Sequence, residues 1–295
     1  MSRGINYYLR PNKQVERKII LDILQKCRRV VNMRKYCYLG MGSIYYYDFI
    51  LMHKIFGIEK LISIDSKATK KRFLFNKPFN FIKFYNELSS KYLPKHDWDN
   101  LKSIIWLDYE SKYKATNPVN VDLKIIGKNC QEKDFVFITV NAGAYKDVNS
   151  RRKFIEENKI FIPKGLQKLT YTSPKNFTLL IQNIMLNILA DSSQYRKTKF
   201  HKIFSFSYQD GEPMYTLGGI FTKDKSLTKK LNKVHHLIST DKNNIYNIKI
   251  PNITYKEKHY LDENVKSLKG RLYYYKGRIN KRTDLDDVEK HEKIK

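Results

Sequence analysis

The residues of this 295-residue chain whose types and spacing could do chemistry are Gly40-Met41-Gly42-Ser43, Asp65 and Asp108-Tyr109. Glycines let a backbone come close to a ligand, and the N–H groups at the start of a following helix face the same spot. An acid ending the next strand can accept hydrogen bonds from a ribose. Asp65 follows Gly42 by 23 residues, close to the offset of about 20 usual in nucleotide-binding α/β domains. The pair Gly40-x-Gly42 lacks the third glycine of a dinucleotide fingerprint and the Gly-Lys-Ser/Thr end of a P-loop. It therefore supports a nucleotide-like ligand without specifying one. Asp108-Tyr109-Glu110 closes an apolar run, Ile104 to Leu107. Ligand crevices of open α/β sheets lie at such carboxyl ends. Asp108 is the first candidate for proton removal, ahead of Tyr109 and Glu110. His53 and His201 stand isolated and read as structural. Cys27, Cys37 and Cys130 form neither a metal spacing nor a disulfide framework, so no metal is expected.

The elements that must position these residues are legible from periodicity. Pro11 suits a first helical turn. Val15, Ile19, Ile20, Ile23, Leu24 and Cys27 then recur at helical spacing, with Lys13, Arg17, Lys18, Lys26 and Arg28 read as the polar face. The segment Tyr8 to Gln14 runs into that helix just before the glycine strand, so it could line the cleft, with Lys13 and Gln14 as the groups offered to a ligand. Tyr36 to Leu39 reads as a first strand, a helix carries Phe49 to Phe56, and Leu61 to Ile64 is a second strand. Further strands are expected at 79–85, 103–108 and 134–140. Helices are expected at 119–126, 150–158 and 174–189. The pattern then changes to period two at 200–208 and 213–221, joined through Asp210-Gly211, which argues for a hairpin. Five strands linked by crossovers thus precede an antiparallel pair. Residues 222–295 read as a basic extension with helical fragments at 227–237 and 255–268.

Composition sets outer limits. The formal charge is +28, far beyond a solubility role, and suggests a nucleic acid or an acidic protein partner. There is no apolar h-region at the start and no run of 18 apolar residues. Neither secretion nor a membrane span is expected, and a cytoplasmic setting fits.

In its order of elements the chain resembles the class I S-adenosylmethionine-dependent methyltransferases. It is also similar to a bacterial group of O-methyltransferase-like proteins. That group shares an arm of the form Leu9-Arg10-Pro11-x-Lys13-Gln14-x-Glu16-Arg17, a Gly-x-Gly-Ser-x-Tyr loop and a Trp-Leu-Asp-Tyr strand end. The resemblance covers about residues 7–221. It implies a Rossmann-like seven-stranded methyltransferase sheet with a terminal β-hairpin and strand order 3-2-1-4-5-7-6. The basic C-terminal extension lies beyond it. The implied divisions are an N-terminal arm and helix (1–34), a methyltransferase-like domain (35–221) and the extension (222–295). The implied cofactor is S-adenosyl-L-methionine, held by Gly40, Gly42, Ser43 and Asp65, with Asp108 and Tyr109 facing the methyl group. The chain has fewer loop glycines than the wider family and no Asn-Pro-Pro-Tyr or Asp-Pro-Pro-Tyr. The second absence argues against adenine or cytosine amino-group chemistry. Three readings follow: an active methyltransferase, a binding subunit that has kept the fold without the chemistry, and a basic nucleic-acid binder.

Overall fold

The computed structural model describes residues 10–28, 31–66, 69–114, 118–231, 235–241 and 243–250, together with residues 254, 256 and 259. Most of the second expected fragment of the extension, 255–268, therefore lies outside the described residues. The chain divides into one compact unit, Met1–Ile248, and a second, Lys249–Lys295.

The apolar runs form the strands expected of them: β1 (Cys37–Met41), β2 (Lys60–Ile64), β3 (Ile82–Tyr85), β4 (Ser103–Lys112) and β5 (Phe135–Asn141). All five pair in parallel. The long hairpin β6 (Lys199–Asp210) and β7 (Glu212–Thr222) follows, with β7 antiparallel to both β5 and β6. A short eighth strand, β8 (Tyr246–Asn247), adds itself parallel to β6. The sheet order is β3-β2-β1-β4-β5-β7-β6-β8. That is the expected order with one more strand at the hairpin edge.

Strand alternation divides the core into two. Leu39, Ile105, Leu107, Val136, Ile138 and Leu217 face one cluster, with α5 (Pro118–Asn129), α6 (Val148–Asn158) and α7 (Phe177–Ser192). Tyr38, Leu61, Ile104, Trp106, Phe137 and Ile220 face the other, with α1 (Pro11–Cys27), α2 (Tyr47–Phe56) and α3 (Lys70–Phe75). Helix α8 (Lys225–Leu231) buries Leu227 and Leu231 in that second cluster. The short α4 (Ser89–Tyr92) places Tyr92 in the first.

Two sequence expectations change. The third strand begins at Ile82 and not at residue 79, because Phe79 and Phe81 stack on each other at 5.1 Å instead of entering the sheet. Lys13 and Arg17 are also not on a polar surface: both are 1% exposed, buried with Glu16 on the inner side of α1. Their carboxylate partners come from distant parts of the chain.

Helix α1 takes its N-terminal cap from the far end of the fold. Its own N-cap residue, Arg10, offers no side-chain cap. Instead the Asp210 carboxylate, at the tip of the β6–β7 hairpin, accepts from the Asn12 N–H at 3.2 Å and the Lys13 N–H at 2.8 Å. It also accepts from Asn12 Nδ2 at 2.9 Å. Gly211 makes the hairpin possible by taking φ of +97°, a region open to glycine at no steric cost. Replacing Asp210 by Ala is expected to cost about 1–2 kcal/mol, as loss of a helix cap does. Asp210→Asn keeps one acceptor oxygen but sets an amide NH2 against the donor that the second oxygen served, so it should recover only part of that loss, and urea unfolding of the two variants tests the difference.

Candidate functional site

The residues singled out by spacing gather at the carboxyl ends of β1, β2 and β4. The turn after β1 is held against β2: the Gly42 N–H donates to the Ile64 carbonyl at 2.9 Å. Asp65 is the next residue, so the loop and the acid lie side by side. A Cβ at Gly42 would collide with Ser63 Oγ, and one at Gly40 would lie 2.7 Å from the Tyr38 hydroxyl oxygen. A side chain at either position would therefore have to displace the Ser63 hydroxyl or the end of the Tyr38 ring, so the protein's own side chains already fill the space beside both glycines. Ser43 shapes the turn through its hydroxyl, which accepts from the Tyr45 N–H at 3.3 Å. Tyr46 then sits at φ of +47°, an uncommon conformation for a residue with a side chain. It is fully buried, donates its hydroxyl to the Phe73 carbonyl at 3.1 Å and packs edge-on against Phe49 and Phe73. Strain in the loop is therefore held in place by α2 and α3. Ser43 and Gly42 remain partly accessible.

Asp108 and Tyr109 do not converge. As neighbours on β4 they point to opposite faces of the sheet. Tyr109 is buried and donates its hydroxyl to the Asp122 carboxylate, which also receives the Ser89 hydroxyl. Burial, then Asp122, pushes the Tyr109 hydroxyl pKa well above 10. Burial likewise raises Asp122 to about 6, although the two donors oppose the shift.

Asp108 faces α1. Its Oδ2 meets Lys13 Nζ at 2.6 Å and an Arg17 guanidinium nitrogen at 2.8 Å. Burial alone would raise its pKa, but Lys13 and Arg17 outweigh that and hold it at about 2. Its other oxygen, Oδ1, is buried and makes no hydrogen bond among the described residues. Arg17 also grips Asp48 in the first turn of α2, through Nε at 2.8 Å and a second nitrogen at 3.2 Å. One guanidinium thus ties together α1, the helix after the glycine turn and the end of β4. Gln14 is half-buried one residue beyond Lys13.

A polar ring completes the cluster. The Arg17 guanidinium lies 4.9 Å from the centre of the Trp106 ring. Trp106 Nε1 donates to Thr139 Oγ1 at 3.1 Å, Thr139 and Thr216 share a hydrogen bond of 2.8 Å, and Thr216 donates to Glu16. When Glu16 is ionised the single hydroxyl proton of Thr216 goes to it, and Thr139 is then the donor to Thr216. The ring returns to Arg17 through Glu16, at 3.5 Å. Lys13 and Arg17 are balanced by Asp48 and Asp108, so an ionised Glu16 is the surplus charge. Burial, only partly offset by Arg17 and reinforced by Asp108, raises its pKa from 4.5 to about 7.

Glu16, Arg17, Asp48 and Thr216 were not among the expected site residues. The available hint was that Lys13, Glu16 and Arg17 continue the buried Ile20, Leu24, Cys27 stripe at the same three- and four-residue spacing. No group of His, Cys, Asp or Glu suited to a metal occurs among the described residues. Nor, among them, is any helix long and apolar enough to cross a membrane.

A parallel sheet ordered 3-2-1-4-5, closed by an antiparallel 7-6 pair, with a glycine turn after β1 and an acid after β2, defines the class I S-adenosylmethionine-dependent methyltransferase superfamily. Within it, this chain belongs to the family described as "Putative O-methyltransferase", which matches residues 5–295. No curated protein matches it in sequence. Among solved structures it is similar to Trm1 from Pyrococcus horikoshii in complex with S-adenosyl-L-methionine, at 8% identity and a TM-score of 0.48. That match covers 77% of this chain and spans 59% of the Pyrococcus protein's length. It is also similar to a "putative S-adenosylmethionine dependent methyltransferase" from Listeria monocytogenes, at 9% identity and a TM-score of 0.40, covering 70% of this chain and 98% of that one.

Two measurements test the cluster. Arg17→Met would leave Asp48 and Asp108 buried without their shared partner, and breaking such a pair destabilises by about 3–5 kcal/mol. Chemical denaturation reads that loss. For Glu16 the folded pKa lies above the unfolded one, so the folded chain binds the extra proton between pH 4.5 and about 7. The Glu16 contribution to stability then falls as pH rises through that window, by up to about 3 kcal/mol at about 1.36 kcal/mol per pKa unit. Asp122 contributes a similar fall up to about pH 6. The expected signature of Glu16 is therefore a difference: Glu16→Gln flattens the decline between pH 6 and 7 in a pH series of unfolding curves.

Proposed function

We propose that the protein binds S-adenosyl-L-methionine across the β1–α2 turn and transfers its methyl group to an acceptor. The observation that carries this reading is Asp108 Oδ1, a buried carboxylate oxygen with no hydrogen-bond partner among the described residues. It lies at the end of the strand next to the glycine turn. Buried polar atoms are nearly always paired, so an unpaired one beside a glycine turn and a ribose-type acid fits a polar ligand. In this reading Asp65 accepts from ribose hydroxyls, and the backbone of Gly40, Gly42 and Ser43 lies along the cofactor. Lys13 and Gln14 close the cleft from α1. When bound, the cofactor supplies a methyl group already activated by its sulfonium charge, so the protein's task is alignment and disposal of at most one proton.

The electrostatics divide the roles. With its pKa held at about 2, Asp108 stays ionised at neutral pH, and it serves as an acceptor that orients a donor group better than as a base. Tyr109, turned to the other face, supports the end of β4 through Asp122. A second reading has one observation in its favour. Neither Asp108 nor Tyr109 has a pKa suited to take up a proton near pH 7, which agrees with a binding subunit that has kept the fold and lost the chemistry. Such a subunit would hold a nucleic acid or an acidic protein partner.

Calorimetric titration with S-adenosyl-L-methionine tests binding, and a methyl-transfer assay then separates the two readings. Asp65→Ala leaves ribose hydroxyls without a charged acceptor, a loss of roughly 1.5–3 kcal/mol. The expected result is weakening of about 10- to 100-fold. Unchanged affinity in the titration would make the acid structural.

A further inference from the structure

The most pronounced unassigned surface lies on α3 and the turn into β3, just after the β2 end that carries Asp65. Residues 66–86 contain six Lys or Arg and no Asp or Glu. Among them Lys70, Lys71 and Arg72 are exposed along α3. So is Phe75, at 89%, although burying such a side chain would gain roughly 1.5–3 kcal/mol. The element beneath is firmly held. Phe73 is buried, stacks on Phe84 of β3 at 4.9 Å and receives the Tyr46 hydroxyl at its carbonyl. Beyond the helix, Phe79 and Phe81 are nearly parallel, with 5° between their planes, and both pack against His53, at 4.6 and 4.9 Å. Phe81 remains exposed. Aromatic rings among cations are thus presented on one short stretch of chain, which runs from the carboxyl end of β2 past α3 to the amino end of β3.

We propose that α3 and the turn through Phe81 hold single-stranded nucleic acid, the strand that carries the methyl acceptor. In naming an acceptor class, this rests on the methyl-transfer reading. The chemistry is complementary. Phosphates meet Lys70, Lys71 and Arg72, and unpaired bases offer flat faces to Phe75 and Phe81, as on other single-strand platforms. A duplex hides those faces. An acidic peptide would account for the cations and leave the rings unexplained. A bilayer would need a longer apolar face than the six residues of α3 provide. Phosphate contacts carry no sequence information and stacking tolerates any base, so sequence preference is expected to be weak.

Fluorescence anisotropy of the full chain tests this with labelled oligonucleotides of about 15 nucleotides, as RNA, DNA and duplex, over a salt series. Three proteins are compared: wild type, Phe75→Ala, and a Lys70→Ala/Lys71→Ala/Arg72→Ala variant. All four positions are exposed, so folding is expected to be unaffected, and unfolding curves check this. The wild type should prefer single strands to duplex. Phe75→Ala should weaken single-strand binding by about 10-fold or more, since one stacked base contributes on the order of 1–3 kcal/mol. The triple variant should lower the log–log salt slope by about 2, at about 0.7 per phosphate neutralised on a single strand. Three results would overturn the proposal: no binding even at the lowest salt, both variants binding like the wild type, or Phe75-dependent retention on anionic lipid vesicles with oligonucleotide binding unchanged. Titration with S-adenosyl-L-methionine on the same samples is read separately. Oligonucleotide binding that depends on Phe75, in a protein that ignores the cofactor, would support the surface while overturning the methyl-transfer reading.

Discussion

The buried Arg17 guanidinium is the constraint on which the site depends. A cation taken out of water is expensive unless charges and hydrogen bonds around it replace its hydration. Here the replacements come from separate parts of the chain: Asp48 from the start of α2, Asp108 from the end of β4, Glu16 from its own helix and the Trp106 ring from the sheet below. None of these groups is well placed unless the others are. The position of α1 over the sheet, the entry of α2 after the glycine turn and the rotamer of Asp108 are therefore settled together. Apolar packing of Ile20, Ile23 and Leu24 anchors the rest of α1, but it could not fix the helix's first turns so specifically. A polar cluster specifies geometry because it tolerates so few alternatives.

How much of this could be read in the sequence follows from the range of the interactions involved. Strands such as Ile104 to Leu107 and Phe135 to Val140 are covered on both faces, so they show as continuous apolar runs and their order follows from crossover spacing. The hairpin announced itself through Asp210-Gly211. Strand β8 was invisible, since two residues, Tyr246 and Asn247, carry no periodicity. It is held beside β6 by the Lys202 ammonium, which donates to the Asp241 and Asn244 carbonyls, by the Ser205 hydroxyl on Asn244, and by the Ile248 N–H on the Ser207 carbonyl. The inner face of α1 was misread for a related reason. Lys13 and Arg17 look like solvent-facing residues to any argument from composition, and the carboxylates that accompany their burial include Asp48 and Asp108, both far along the chain.

Within the site, legibility had the same boundary. Gly40, Gly42 and Asp65 were found because their spacing is local to one strand–turn–helix–strand unit. Asp108 was found because it ends an apolar run. The separation of Asp108 from Tyr109 follows from alternation along a strand. What that alternation delivers them to, a pair of cations on one side and a second carboxylic acid on the other, is tertiary information. The same holds for Glu16, whose ionisation is governed by neighbours that the linear sequence does not place beside it.

The cap and the polar ring over α1 also bear on how the chain comes to be folded. Asn12 meets Asp210 across 198 residues, and Glu16 meets Thr216 across 200. During synthesis α1 leaves the ribosome long before the hairpin, so it waits for nearly the whole sheet before its N-terminal turn is finished. Until the hairpin emerges, Lys13 and Arg17 have no complete set of partners, and contacts of such separation form late and slowly. Completion of the cleft is thus coupled to arrival of the hairpin. A chain truncated before residue 210 could assemble its parallel strands and still leave the roof over Asp108 open.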